Sequence, residues 1–354
     1  MKASLRGMLI AGLFLAAVAI AAPAPTIISL DDPNAGTAAD QGTVAVSINA
    51  AGTITGGYVD RNNVGHGCVR SAGGLYTTFN APGGVKGTEG WSINTAGVIT
   101  GFDVDANSAT HGFVRATSGT ITTFNAPGAG TGSGQGTTGN GINTTGTIAG
   151  THIDSTGVHH GFVRAPNGTI TTFNAPGAGN GNHQGTNAGP INSSGVITGV
   201  YFDAQSHYHG FIRAANGTIT DFDYPGAKGT SATSINDSGT IAGFYKDIHG
   251  LTHGFVRSST GAFTSFDPPS AHQTNAWTIN AAGVIAGIYT DTKGANHGFV
   301  RATNGTITTY NPPGTGNLGV LVPGGFEMTI NTAGDIAGYY LDSGSVFHGY
   351  LRTP

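Results

Sequence analysis

At 354 residues the chain is long enough for two ordinary domains or one large one. Only 9% of the residues are charged and the formal net charge is −4, which leaves no basic field for a nucleic-acid partner. The lone Cys68 excludes an internal disulfide, so stability must come from packing.

The chain opens Met1-Lys2-Ala3-Ser4-Leu5-Arg6, a short positive segment, and then runs apolar from Met8 to Ile20 into small residues around Ala21. This pattern predicts a signal peptide over residues 1–21, followed by a single domain over 22–354 in a secreted product, extracellular or periplasmic. The apolar run is short for a membrane span. No Cys follows it to take a lipid anchor, and no later stretch suits a span. Without Lys2 and Arg6 the net charge is about −6.

Residues Thr26–Pro33 read as a strand in which Leu30 and Pro33 are three apart. From here the chain is a repeat, the first feature to seek in such a sequence. Ile-Asn-x-x-Gly recurs at Ile48, Ile93, Ile142, Ile191, Ile235, Ile279 and Ile330, heading units 1 to 7. Twelve residues after each Ile stands Asp60, Asp105, Asp154, Asp203, Asp247, Asp291 or Asp342, and six further on His66, His111, His160, His209, His253, His297 or His348. Four beyond each His is an Arg, from Arg70 to Arg352, and nine beyond that, in six units, an aromatic: Phe79, Phe124, Phe173, Phe222, Phe266 or Tyr310. Pro follows three later, 34 residues after the Ile in each of the six complete units.

Each unit predicts four short strands. Strand A ends at Ile-Asn, and the Asn-x-x-Gly turn suits a type I geometry. Strand B has the form of Val98-Ile99-Thr100-Gly101-Phe102, strand C that of His111-Gly112-Phe113-Val114-Arg115, and strand D follows an Asn-Gly or Ser-Gly turn. A four-stranded unit of this length predicts an all-β fold, a seven-bladed β-propeller. The seventh unit ends at Arg352 without a strand D, and Thr26–Pro33 keeps the spacing of one, so the N-terminal strand is expected to complete the last blade and close the ring.

At Ile-Asn-x-x-Gly, the Asp and His-Gly-Phe-x-Arg the sequence resembles the HAF-repeat family of extracellular bacterial proteins, across nearly all of the chain after the signal. The middle residue of the signature is Gly in every unit here, and its Phe becomes Cys68 once and Tyr350 once. The resemblance implies export and a repeat architecture; it carries no activity and no catalytic residue.

A residue present in every unit builds units, so a site is sought where units differ. Asp and His flank the B–C hairpin, where their side chains can meet; the Arg lies about 13 Å along strand C, out of reach of its own Asp. Length variation falls in the D–A loops, 10 to 17 residues from Pro to Ile, and such loops carry function on rigid scaffolds. Trp91 and Trp277, both two before an Ile, are assigned to this rim with Glu89, His183, His272 and Glu327, as candidate ligand contacts. Indoles combine apolar area with a polar handle, which suits sugar faces; a structural plug of the channel mouth is the other reading. Ten after the Ile, five units carry Tyr, while units 2 and 3 carry Asp103 and His152, two further site candidates. Asp103, Asp105 and Asn107 resemble the start of a calcium loop but lack its later Gly and Glu, so calcium is a weak expectation and no other cofactor is expected. Gly314-x-Gly316-x-x-Gly319 precedes no helix pattern and is set aside as a dinucleotide motif. No catalytic motif is found. The expected function is a monomeric binding module for carbohydrate or an extracellular protein; a hydrolase or lyase acting on a polymer and a purely structural exported protein are the alternatives.

Overall fold

The computed structural model describes residues 24–314 and 328–354. The expected signal peptide and Glu327 lie outside the described residues. The fold is all-β: 28 strands and, among the described residues, no helix. Every unit pairs A with B and B with C, antiparallel, and units 1 to 6 also pair C with D. In unit 7 the strand beside C is Thr26–Leu30, which runs antiparallel to Phe347–Thr353 with Ile28 opposite Leu351.

The turns explain the repeat Asn and Asp. In unit 1, Asn49 Oδ1 accepts from the Ala51 and Thr53 amides at 3.0 Å, and Asp60 Oδ1 from Asn62 and Val64 at 2.8 and 2.9 Å. Short polar side chains that bond their own backbone favour such turns. The Asn side chain also reaches the next unit. Its Nδ2 donates to the backbone oxygen of the following Asn, from Asn49 to Asn94, Asn143, Asn192, Asn236, Asn280, Asn331 and back to Asn49, at 3.0–3.3 Å. All seven are buried.

Packing follows the repeat as well. The strand-B Ile and the Phe of His-Gly-Phe form the core, with Ile99, Ile148, Ile197, Phe113, Phe162 and Phe211 fully buried. The middle residue of the signature is Gly because the strand-D ring lies against it: a Cβ on Gly112 would stand 2.6 Å from the Phe124 ring. That ring then meets the next unit edge to face, as in Phe79–Phe113 and Phe124–Phe162, 5.7 and 5.9 Å apart. The repeat Arg covers the same ring of the preceding unit, with Arg115 5.1 Å over Phe79 and Arg164 5.0 Å over Phe124. Between units 7 and 1 both contacts are missing. Leu30 replaces the ring, Cys68 replaces the Phe, and Arg70 rests 5.9 Å over Tyr76 of its own unit.

The A strands begin earlier than the sequence suggests, at Gly42, Gly87, Gly136, Gly185, Gly229 and Ala271. Gly136 shows why the start is hidden: its φ is +116°, and a Cβ there would lie 2.1 Å from the Thr110 carbonyl oxygen of the preceding unit. A Gly-Thr pair without apolar alternation reads as loop yet is the first pair of the strand.

Candidate functional site

The longer A strands move four expected loop residues. Glu89 and Trp91 lie inside Gly87–Ile93, and His272 and Trp277 inside Ala271–Ile279; among the described residues only His183 remains in a loop, where it is exposed. The two tryptophans are bulge residues: the A–B register slips between Gly90 and Ser92 and again between Ala276 and Thr278. A bulge adds one residue against the partner strand and re-aims its side chain. Here the bulged side chains line a cavity of about 370 Å³. Val46, Asn140 and Thr233, two before the Ile of their units, line it with Trp91, Trp277 and Met328.

Its described lining carries no charged side chain. The Trp91 ring stands edge-on to Phe102 at 5.1 Å and Trp277 edge-on to Phe244 at 5.6 Å, so neighbouring strands fix both indoles. Asn140 Nδ2 donates to the Ala188 carbonyl at 2.7 Å, while its Oδ1 is buried without a partner and is free to accept from a ligand.

Glu89, two residues before Trp91, is partly buried, and burial pushes its carboxyl up to about 7. A Cβ on Gly57 of unit 1 would stand in ordinary contact with Glu89 Cγ, at 3.5 Å, and would crowd the His66 carbonyl oxygen, at 2.9 Å.

Asp103 and His152 occupy equivalent places in adjacent units but in different company. Asp103 lies opposite His111 across the B–C ladder; it is fully buried, and neither carboxylate oxygen has a hydrogen-bond partner. Burial raises it to about 6, with His111 pulling down and Asp105 pushing up. His152 stacks on His160 at 4.8 Å, and burial and that neighbour lower it to about 4. Elsewhere the position holds Tyr stacked on the repeat His, as in Tyr58–His66 at 4.9 Å. The structure thus sets Asp103 with His111, His152 with His160 and Glu89 with Trp91, not all three in one cleft.

The repeat Asp and His do meet. His Nε2 lies 3.1–3.6 Å from Asp Oδ2 in all seven units. The other ring nitrogen bonds the residue after the strand-D aromatic: Asn125 for His111 and Asp223 for His209, both at 2.8 Å. This third member was missed in the sequence, although an Asn or Asp follows every aromatic. In units 4, 5 and 7 it is a carboxylate, from Asp223, Asp267 and Asp31. Burial lowers His209 and His253, but the bonds and charges of Asp223 with Asp203, and of Asp267 with Asp247, outweigh it and raise both. The calcium expectation fares poorly: Asp105 Oδ1 is taken by its own turn, at 2.8 Å from Asn107 N, and Oδ2 faces His111. Among the described residues no group of three His, Cys, Asp or Glu side chains could hold a metal ion. No described helix is long and apolar enough to cross a membrane.

No family model matches the chain, and no curated protein matches it. Solved structures do. A streptogramin B lyase superposes with a TM-score of 0.61 at 14% identity, covering 93% of this chain and 98% of its own. The BP39L lectin from Burkholderia pseudomallei gives 0.54 at 11%, covering 87% and 95%. A fucose-recognising lectin from Aleuria aurantia with a six-bladed β-propeller fold gives 0.41 at 13%, covering 84% and 100%. At these identities the likeness is one of fold: the chain is all-β with β-propeller neighbours.

Proposed function

We propose that the protein is an exported carbohydrate-binding module of the HAF-repeat kind, a seven-bladed propeller closed by its N-terminal strand, with its ligand held in the cavity walled by Trp91 and Trp277. One observation carries the binding reading: the only two tryptophans of the chain are both bulged onto the wall of one uncharged cavity of about 370 Å³, where Asn140 offers an unused acceptor. Apolar ring faces with a few placed polar groups match a neutral sugar, which has C–H faces and hydroxyl donors. Seven blades and closure are supported by the Asn relay, which visits seven units and returns to its start, and by the strand pairing across the termini. Export is supported by the N-terminal sequence pattern.

The test is a glycan array followed by titration of the intrinsic fluorescence of the two indoles. Each stacked indole contributes about 1 kcal/mol, so Trp91→Ala and Trp277→Ala should each weaken binding by roughly fivefold, and the pair should abolish retention with the β-type circular dichroism intact. A wild-type protein that retains no glycan, or a double variant that binds like wild type, overturns the reading. A second reading, a hydrolase or lyase, has Glu89 in its favour, since a carboxyl near 7 suits general acid–base work. Turnover of a bound glycan, lost in Glu89→Gln, would establish it.

A further inference from the structure

The residue before the repeat His varies from unit to unit. Immediately before the repeat His160 stands His159, where other units carry Gly65, Thr110, Tyr208, Thr252, Asn296 and Phe347. His159 opens strand C of unit 3 and its backbone amide donates to Gln184 O at 2.8 Å. The residue before Gln184 is His183, whose amide donates to Gly157 O at 2.9 Å. The two histidines are thus tied to the same short loop, and their ring centroids stand 6.4 Å apart with planes at 65°.

We propose that His159 and His183 together bind one divalent transition-metal ion of the zinc, nickel or copper class. The tautomer of His159 is set for it. Its Nδ1 lies 2.6 Å from Asn187 Oδ1. A carboxamide oxygen only accepts, so Nδ1 carries the proton and Nε2 keeps its lone pair. Nε2 is buried and has no hydrogen-bond partner. A ligating imidazole whose other nitrogen is held by an oxygen is the usual arrangement around such ions. With metal–nitrogen bonds of about 2.0–2.1 Å, two imidazoles at a tetrahedral angle on one ion have centroids roughly 5 Å apart. The observed separation is about 1 Å longer, so His183, exposed on its loop, turns inward to close the site. Water fills the remaining positions, as in open sites. Imidazole ligands favour zinc, nickel and copper over calcium and magnesium, which take oxygen.

The experiment is calorimetric titration of the tag-free protein with zinc chloride and nickel chloride, with calcium chloride as comparison. The expected result is one zinc per chain, no calcium at the same place, and at least a tenfold loss of affinity in both His159→Ala and His183→Ala. His272→Ala, an exposed histidine elsewhere, should bind as wild type. His183 is exposed in a loop, so its variant keeps the fold, which circular dichroism checks. Absence of zinc binding, a stoichiometry of seven that points to the repeat Asp–His sets, or unaltered affinity in His183→Ala overturns the proposal.

Discussion

Asp103 is the residue whose chemistry departs furthest from its surroundings. Five units fill its position with a tyrosine, and three of those hydroxyls bond a Ser or Thr of the adjacent strand D, at 2.9–3.2 Å. Asp103 makes no such bond and is fully buried. Its folded pKa, about 6, lies above the ordinary 3.8. The folded state therefore holds a proton that the unfolded chain releases, and stability falls as pH rises from about 4 through 6, then levels. Asp103→Asn should remove that slope: its thermal midpoint should exceed wild type at pH 8 and match it most closely near pH 4. Equal differences at both pH values would show that the carboxyl is solvated after all.

The unit as an element was legible in the sequence because each repeated residue does one job in unit after unit. Asn and Asp close turns, Gly receives a ring, and Arg covers the ring of the neighbour. The Asp–His pair belongs to that logic. Asp203 Oδ1 accepts from the Gln205 and His207 amides at 2.9 and 2.8 Å, while Oδ2 faces His209 at 3.5 Å. Asp203→Ala should lower stability by about 1–3 kcal/mol in denaturant unfolding, the cost of stranding such partners, with glycan binding retained; lost binding at unchanged stability would make the pair part of a site. The A strands were less legible, for a physical reason. A bulge breaks the two-residue alternation by one, so Trp91 and Trp277 look like loop residues until the register is known. The Gly-Thr openings offer no apolar pattern to mark the start. His159 sits at a position that varies from unit to unit, and its partner His183 lies 24 residues on, in a loop that only folding brings alongside.

At the scale of the whole molecule, the junction of units 7 and 1 stands apart. It has the N-terminal strand, with Leu30 buried and Asp31 2.8 Å from His348, but neither the ring-to-ring contact nor the Arg cover of the other junctions. Removing residues 22–33 takes Leu30 out of the apolar cluster at this junction and exposes the edge of Phe347–Thr353. The thermal midpoint should drop by about 5 °C or more; an unchanged midpoint would rule out closure by this strand. The Asn relay has a consequence of another kind. Every donor in it points to the next unit, so it has no first and no last member. A helix ends in uncompensated amides and carbonyls; an endless circuit has no such ends. It is indifferent to where the polypeptide starts, since any loop could be cut and the old termini joined without removing a link.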